Sequence, residues 1–175
     1  VGGEKEVPQD RRDTVQRSQR SPGAHCDLSN VLFAQFLDPS MNYSSAWFEG
    51  DETLEEAQMR KIDAILDDAH VTKGSRVLEI GSGWGSLAIR AAQRGAKVTT
   101  ITISKEQAAL AKERFAEAGV EVDLQLVDYR EVTGEYDAIV SVEMIEAVGE
   151  EFWPTYFQTI DKLLAPGGHV AIQAI

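Results

Sequence analysis

Arg76-Val77-Leu78-Glu79-Ile80-Gly81-Ser82-Gly83-Trp84-Gly85 is the stretch that decides the fold. Its first five residues read as a buried strand, because a short apolar run between Lys73-Gly74 and a cluster of glycines is too brief for a helix. The glycines let the chain turn sharply and approach a ligand with no Cβ in the way, and a helix predicted over 84–94 would present free N–H groups there. The alternation then repeats: strand 97–103, helix 105–118, strands 120–127 and 136–142, helix 152–164, a turn at Pro166-Gly167-Gly168 and a last strand 169–175. Strands separated by helices predict an α/β, doubly wound, mainly parallel sheet. Ligands of such sheets sit past the carboxyl ends of the strands where the strand order reverses, which makes residues 79–85 the candidate site.

Upstream, Val31, Leu32, Phe36 and Leu37 recur at helical spacing until Asp38-Pro39-Ser40 stops the helix. A loop of small and aromatic residues, 41–48, precedes a second helix, where Thr53 and Glu56 form a capping box and Met59, Ile62, Ile65, Leu66 and Ala69 share one face. Residues 25–70 are thus expected to form a helical cap on a core over 74–175. Residues 1–22, with five Lys/Arg, four Asp/Glu and almost no hydrophobes, are expected to be a disordered leader, leaving 23–175 as the folded domain.

The composition narrows the function. The 175 residues fit one domain, and a net charge of -12 opposes phosphate backbones, so nucleic acid is not an expected partner. One cysteine and three histidines predict neither an internal disulfide nor a metal centre, and a cytoplasmic location fits that cysteine usage. No stretch approaches the roughly 18–20 apolar residues of a membrane span, so any membrane role is peripheral. The loop itself weighs against a further class: its spacing is Glu-x-Gly-x-Gly-x-Gly, and the second strand ends Thr102-Ile103-Ser104 with no carboxylate for a dinucleotide ribose. Both features disfavour a nicotinamide dehydrogenase and point to a ligand without a pyrophosphate, such as S-adenosylmethionine, whose sulfonium suits an acidic site.

Eight blocks carry a closer likeness: His25-x-Asp27-Leu28-Ser29-Asn30, Phe36-Leu37-Asp38-Pro39-Ser40-Met41, Tyr43-Ser44, Ala57-Gln58, residues 78–85, Thr102-Ile103-Ser104-Lys105-Glu106-Gln107, Asp128-Tyr129-Arg130 and Glu146-Ala147-Val148-Gly149. On these residues 25–175 resemble the catalytic domain of the cyclopropane-fatty-acid synthase and mycolic-acid methyltransferase family, S-adenosylmethionine-dependent enzymes that act on lipid alkenes. The resemblance implies a class I, Rossmann-like methyltransferase domain. It places Tyr43 and Ser44 at the amino-acid end of the cofactor and Gly81 and Gly83, with Glu79 before them, beneath it. Thr102, Ile103, Ser104 and Gln107 would surround the ribose and adenosine, Asp128 and Tyr129 would frame the adenine near Val142, and Glu146 would lie in the reaction centre. It further implies a chain that ends before the family's last strands and lid, and a peripheral contact with the inner face of the membrane in the full-length protein.

The expected reaction is transfer of a methyl group to the double bond of an unsaturated phospholipid acyl chain, giving a cyclopropane fatty acid. The resemblance implies a bound bicarbonate as base, but here the family's bicarbonate cysteine is Ser45, its histidine is Gln173, and the tyrosine of its His-Tyr-Asp is Cys26. Glu146 remains, with the backbone of Ile175 as a further contact. Ser and Gln can hydrogen-bond an anion, whereas Gln cannot take a proton as His can. A methylene or methyl-branched acyl chain of tuberculostearate type is therefore the alternative product, and a non-catalytic cofactor-binding remnant the alternative role. Plainer readings cover the rest: Cys26 as a packed side chain, His25, His70 and His169 as surface or hydrogen-bonded residues, Trp47, Phe48 and Trp153 as core, Trp84 as either core or site, and Glu150-Glu151 as the acidic first turn of the next helix.

Overall fold

The computed structural model describes residues 30–175, so the expected leader, His25 and Cys26 lie outside the described residues. Within it the sheet is parallel throughout and five-stranded: β1 (Arg76–Ile80), β2 (Lys97–Thr102), β3 (Val122–Leu126), β4 (Tyr136–Val142) and β5 (Leu164–Gln173), in the order β3-β2-β1-β4-β5. The order reverses between β1 and β4, which is the switch point the sequence predicts beside the glycine loop.

Alternation along the strands sets the two faces. Val77 of β1 and Ala138 and Val140 of β4 pack with Ile62, Leu66, Leu87, Ala91 and Phe115 into one core, built with the helices α2 (Leu54–Asp68), α3 (Ser86–Gln93) and α4 (Lys105–Glu117), while α1 (Asn30–Phe36) packs Phe33 against Trp84. Leu78, Ile80 and Ile139 face the other way, against Tyr129, Tyr136, Tyr156, Ile160 and Leu163. Between β4 and β5 the chain forms the short α5 (Ile145–Val148), a 3₁₀ turn at Glu150–Phe152 and α6 (Trp153–Leu163). Ile62, Leu66 and Ile139 are each no more than 1% exposed, and burying one such side chain stabilises by about 1.5–3 kcal/mol.

The helix starts follow the sequence. Thr53 and Glu56 form the capping box of α2, and Ser104 caps α4 by accepting the Gln107 N–H at 3.2 Å. The α2 helix is clamped to α3 by Asp63, which accepts from Arg90 at 2.8 Å and from Arg94 at 2.7 Å; these guanidiniums hold its carboxyl down to about 2.

Two local expectations change. The last strand begins at Leu164 rather than 169, because Leu164 pairs with Tyr136 before residues 165–168 swing out of register and His169 rejoins opposite Ala138; Gly167, at φ 78°, makes the bend. Glu150 and Glu151 lie in the 3₁₀ turn ahead of α6 rather than in its first turn. Periodicity also passes over the 3₁₀ helix Tyr129–Glu131 and α5, both shorter than one pattern repeat.

Candidate active site

The site forms past the carboxyl ends of β1, β2 and β4. After Ile80 the loop turns through Gly81, Gly83 and Gly85, all at positive φ (94°, 48° and 90°), and is pinned to β2 where the Gly81 and Ser82 N–H groups donate to the Ile101 carbonyl at 3.1 and 2.9 Å. A Cβ on Gly81 would lie 2.6 Å from Met144 Cγ and one on Gly85 2.5 Å from Phe115 Cε1, whereas one on Gly83 would meet nothing within 4 Å among the described residues. Two glycines therefore serve packing and the third borders open space. Trp84, the aromatic of this loop, is buried against Phe33, with ring centroids 4.8 Å apart, so the structure gives it a core role.

Glu79 lies wholly inside, under the loop. Burial pushes its carboxyl up to about 8, against the opposing effect of the Thr100 hydroxyl, which donates to Oε2 at 2.6 Å. Beside the end of β2, Thr102 donates to Gln107 Oε1 at 3.0 Å and accepts the Ser104 N–H at 3.1 Å, with Ile103 half-buried between them. Past β3, buried Asp128 accepts from the Arg130 backbone and guanidinium at 3.0 and 2.7 Å, and Tyr129 packs edge-on against Tyr156 at 5.2 Å. Val142, at the end of β4, is half-buried against the first core.

The 41–48 loop forms the opposite wall. Tyr43 is exposed and sits edge-on to Phe33 at 5.2 Å. Ser44 is held twice from α2: its carbonyl accepts from Gln58 Nε2 at 2.7 Å, and its Oγ accepts from Lys61 Nζ. Gln58 and Lys61 occupy the buried stripe of α2 beside the apolar face read from the sequence. Burial pulls the Lys61 ammonium down to about 8, although the charges of Glu143 and Asp38 oppose that pull.

Glu143 joins the wall to the sheet. It follows β4 with φ 49°, in the left-handed region uncommon for a residue with a side chain, and its N–H donates to the Gln173 carbonyl at 2.9 Å. Its Oε1 accepts the Ser45 N–H at 2.7 Å, the Ser45 hydroxyl at 2.6 Å and Gln173 Nε2 at 3.0 Å, while Gln173 Nε2 also reaches Ser45 Oγ at 2.8 Å. The structure thus brings Ser45 and Gln173 together, as the sequence proposed, around a carboxylate that the sequence reading did not single out. Glu146, exposed on α5, accepts instead the Ile175 N–H at 2.7 Å. Glu143 and Lys61 were missed, and Gln58 was quoted only as part of a resemblance, because their partners lie 14 to 98 residues away in the chain. A glutamine and a lysine on the stripe of α2 that carries Ile62, Ile65 and Leu66 were the local signal.

Among the described residues no group of histidine, cysteine or carboxylate side chains could hold a metal ion, and no helix is long and apolar enough to cross a membrane. Comparison with known proteins places this geometry in context. The family model described as mycolic acid cyclopropane synthetase matches residues 13–175. Over 169 residues the chain is 53% identical to the tuberculostearic acid methyltransferase UfaA1 of Mycobacterium tuberculosis, covering 91% of this chain and 40% of that protein. It is 41% identical over 152 residues to the cyclopropane-fatty-acyl-phospholipid synthase of Escherichia coli, covering 86% of this chain and 39% of the relative. The crystal structure of the mycolic acid cyclopropane synthase CmaA1 complexed with SAH and CTAB superposes with a TM-score of 0.79 at 33% identity, over 88% of this chain and 54% of that one. The chain therefore spans about two fifths of the length of the two curated relatives.

Proposed function

Since the chain belongs to the mycolic acid cyclopropane synthetase family, we propose that it carries the methyl-donor half of an enzyme that transfers a methyl group from S-adenosylmethionine to the double bond of an unsaturated phospholipid acyl chain. Its sheet and flanking helices are the Rossmann-like fold of class I S-adenosylmethionine-dependent methyltransferases. The observation that carries the reading is the open glycine loop over a buried carboxylate at the switch point. Among the described residues Gly83 borders free space, the Ser82 hydroxyl is buried with no partner, and Glu79 lies beneath.

These residues fit S-adenosylmethionine. Gly81, Ser82 and Gly83 would back its amino-acid end, with Tyr43 and Ser44 across from them. Thr102, Ile103, Ser104 and Gln107 would hold the ribose, and Asp128, Tyr129 and Val142 the adenine side. When bound, the cofactor supplies an electrophilic methyl group on a sulfonium. The chain's part is to orient it, to offset its positive charge with Glu79 and to keep water away. Glu146, Ser45 and Gln173 stand on the side from which the acyl chain would arrive, and exposed Phe36, Tyr43, Trp47 and Phe48 offer it apolar surface. With a phospholipid substrate, the full-length protein would make peripheral contact with the membrane, at its inner face on this reading. A chain of charge -12 has no nucleic-acid partner on this reading.

Bicarbonate fits these residues poorly. The Ser45 N–H, the Ser45 hydroxyl and the Gln173 amide already donate to Glu143, and the Ile175 N–H to Glu146. A cyclopropane is one product of this chemistry. A methylene or methyl-branched acyl chain of tuberculostearate type is the second, favoured by the 53% identity to a tuberculostearic acid methyltransferase.

Lipids from cells expressing the full-length protein are expected to gain one methylene on monounsaturated acyl groups by mass spectrometry, with fragmentation separating ring from branch. Absence of that gain from a folded chain would favour the non-catalytic remnant. Gly83→Ala is expected to cost about 1 kcal/mol in stability, because its Cβ meets nothing. It should weaken S-adenosylhomocysteine binding about tenfold to a hundredfold in calorimetry, because that Cβ enters the ligand's space. Unchanged affinity would move the cofactor away from this loop.

A further inference from the structure

We propose that Glu143 is the proton acceptor of the reaction, a carboxylate built into the chain where a free anion would otherwise have to be recruited. The inference rests on the acyl-methylation reading above. Its first support is the geometry. Three donors converge on one oxygen of Glu143, from Ser45 N at 2.7 Å, Ser45 Oγ at 2.6 Å and Gln173 Nε2 at 3.0 Å. Among the described residues no hydrogen bond reaches its Oε2. One oxygen is anchored and oriented while the other keeps its lone pairs, as a general base requires.

Position is the second support. Glu143 closes β4 at the switch point, and its neighbour Met144 packs against Gly81 of the glycine loop. Glu143 is therefore the chain neighbour of a side chain that packs on the proposed methyl-donor loop. The third support is the conformation: a left-handed backbone at a residue other than glycine costs roughly 1 kcal/mol or more, and an ordinary surface carboxylate would have no need of it.

The step balances. The alkene's π pair forms a bond to the methyl carbon as the carbon–sulfur bond breaks, which converts the sulfonium to a thioether and leaves a cation on the neighbouring acyl carbon. Glu143 Oε2 then takes a proton from the newly attached methyl group. The released C–H pair closes the three-membered ring or, after a hydride shift between the two acyl carbons, forms an exocyclic methylene.

Glu143→Gln keeps an oxygen for Ser45 and Gln173 but lacks a basic carboxylate. It is expected to bind S-adenosylhomocysteine and to melt as the unaltered chain does, while methylated lipid falls about 10²–10⁴-fold. Glu143→Ala should regain at least about tenfold of its lost turnover on addition of formate, and the unaltered chain should work equally in carbon-dioxide-free buffer. Turnover of Glu143→Gln within about threefold of the unaltered chain, absence of formate rescue, or a requirement for added bicarbonate would overturn the assignment. So would early melting and lost binding of Glu143→Gln, which would make the residue a strut. A full-length protein that binds S-adenosylhomocysteine yet makes no methylated lipid would instead overturn the acyl-methylation reading.

Discussion

Gly85→Ala is expected to lower the unfolding free energy by about 2–5 kcal/mol, with the fold marginal or lost at physiological temperature. Two costs add. A residue with a Cβ at φ 90° is strained by roughly 1–2 kcal/mol. The new Cβ would also lie 2.5 Å from Phe115 Cε1 and 3.0 Å from Cζ, overpacking a core that tolerates little, at about 1–3 kcal/mol more. Against a total stability of about 5–15 kcal/mol for a domain, this is a large share. Urea denaturation checks it, and a loss below about 1 kcal/mol would mean that the Phe115 ring yields freely. Gly83→Ala, two residues earlier in the same loop, is the contrast, because there the space is open.

The second large effect is a fall in stability as pH rises. Glu79 unfolded releases its proton near 4.5, whereas Glu79 folded holds it to about 8. Between those values the folded chain binds more protons, so the contribution is complete below about 4.5 and is lost as pH climbs through 8. The loss is on the order of a few kcal/mol. Denaturation midpoints measured at several pH values across this window should fall for the unaltered chain and stay level for Glu79→Gln. A level profile in both would show that water reaches the carboxylate. A cationic ligand in the loop above would draw the proton off Glu79, so binding should release protons within the same window.

The elements with long, regular patterns were legible in the sequence. The capping box at Thr53 and Glu56 and the strand Tyr136–Val142 emerge with the expected residues, because each is written in local spacing. Pro166-Gly167-Gly168 misled the reading of β5, since turn chemistry there marks an interruption inside a strand rather than its start. The site was half legible. The glycine loop and Glu79 are contiguous with a strand and could be placed by position alone. Ser45 and Gln173 were named from resemblance, yet the residue that joins them was not, because Glu143 reads as one more acidic residue until the fold closes a separation of 98 residues. Lys61 was hidden likewise, as one more charge on a helix rich in charged residues.

The wall formed by residues 44–48 hangs on polar contacts to Gln58, Lys61 and Glu143, whereas the strands behind it are buried in apolar cores. Segments held this way swing outward at a small fraction of the work needed to melt the whole domain. On the proposed reading, brief lifting of this segment would let an acyl chain in and out while the glycine loop, pinned to β2, keeps its shape.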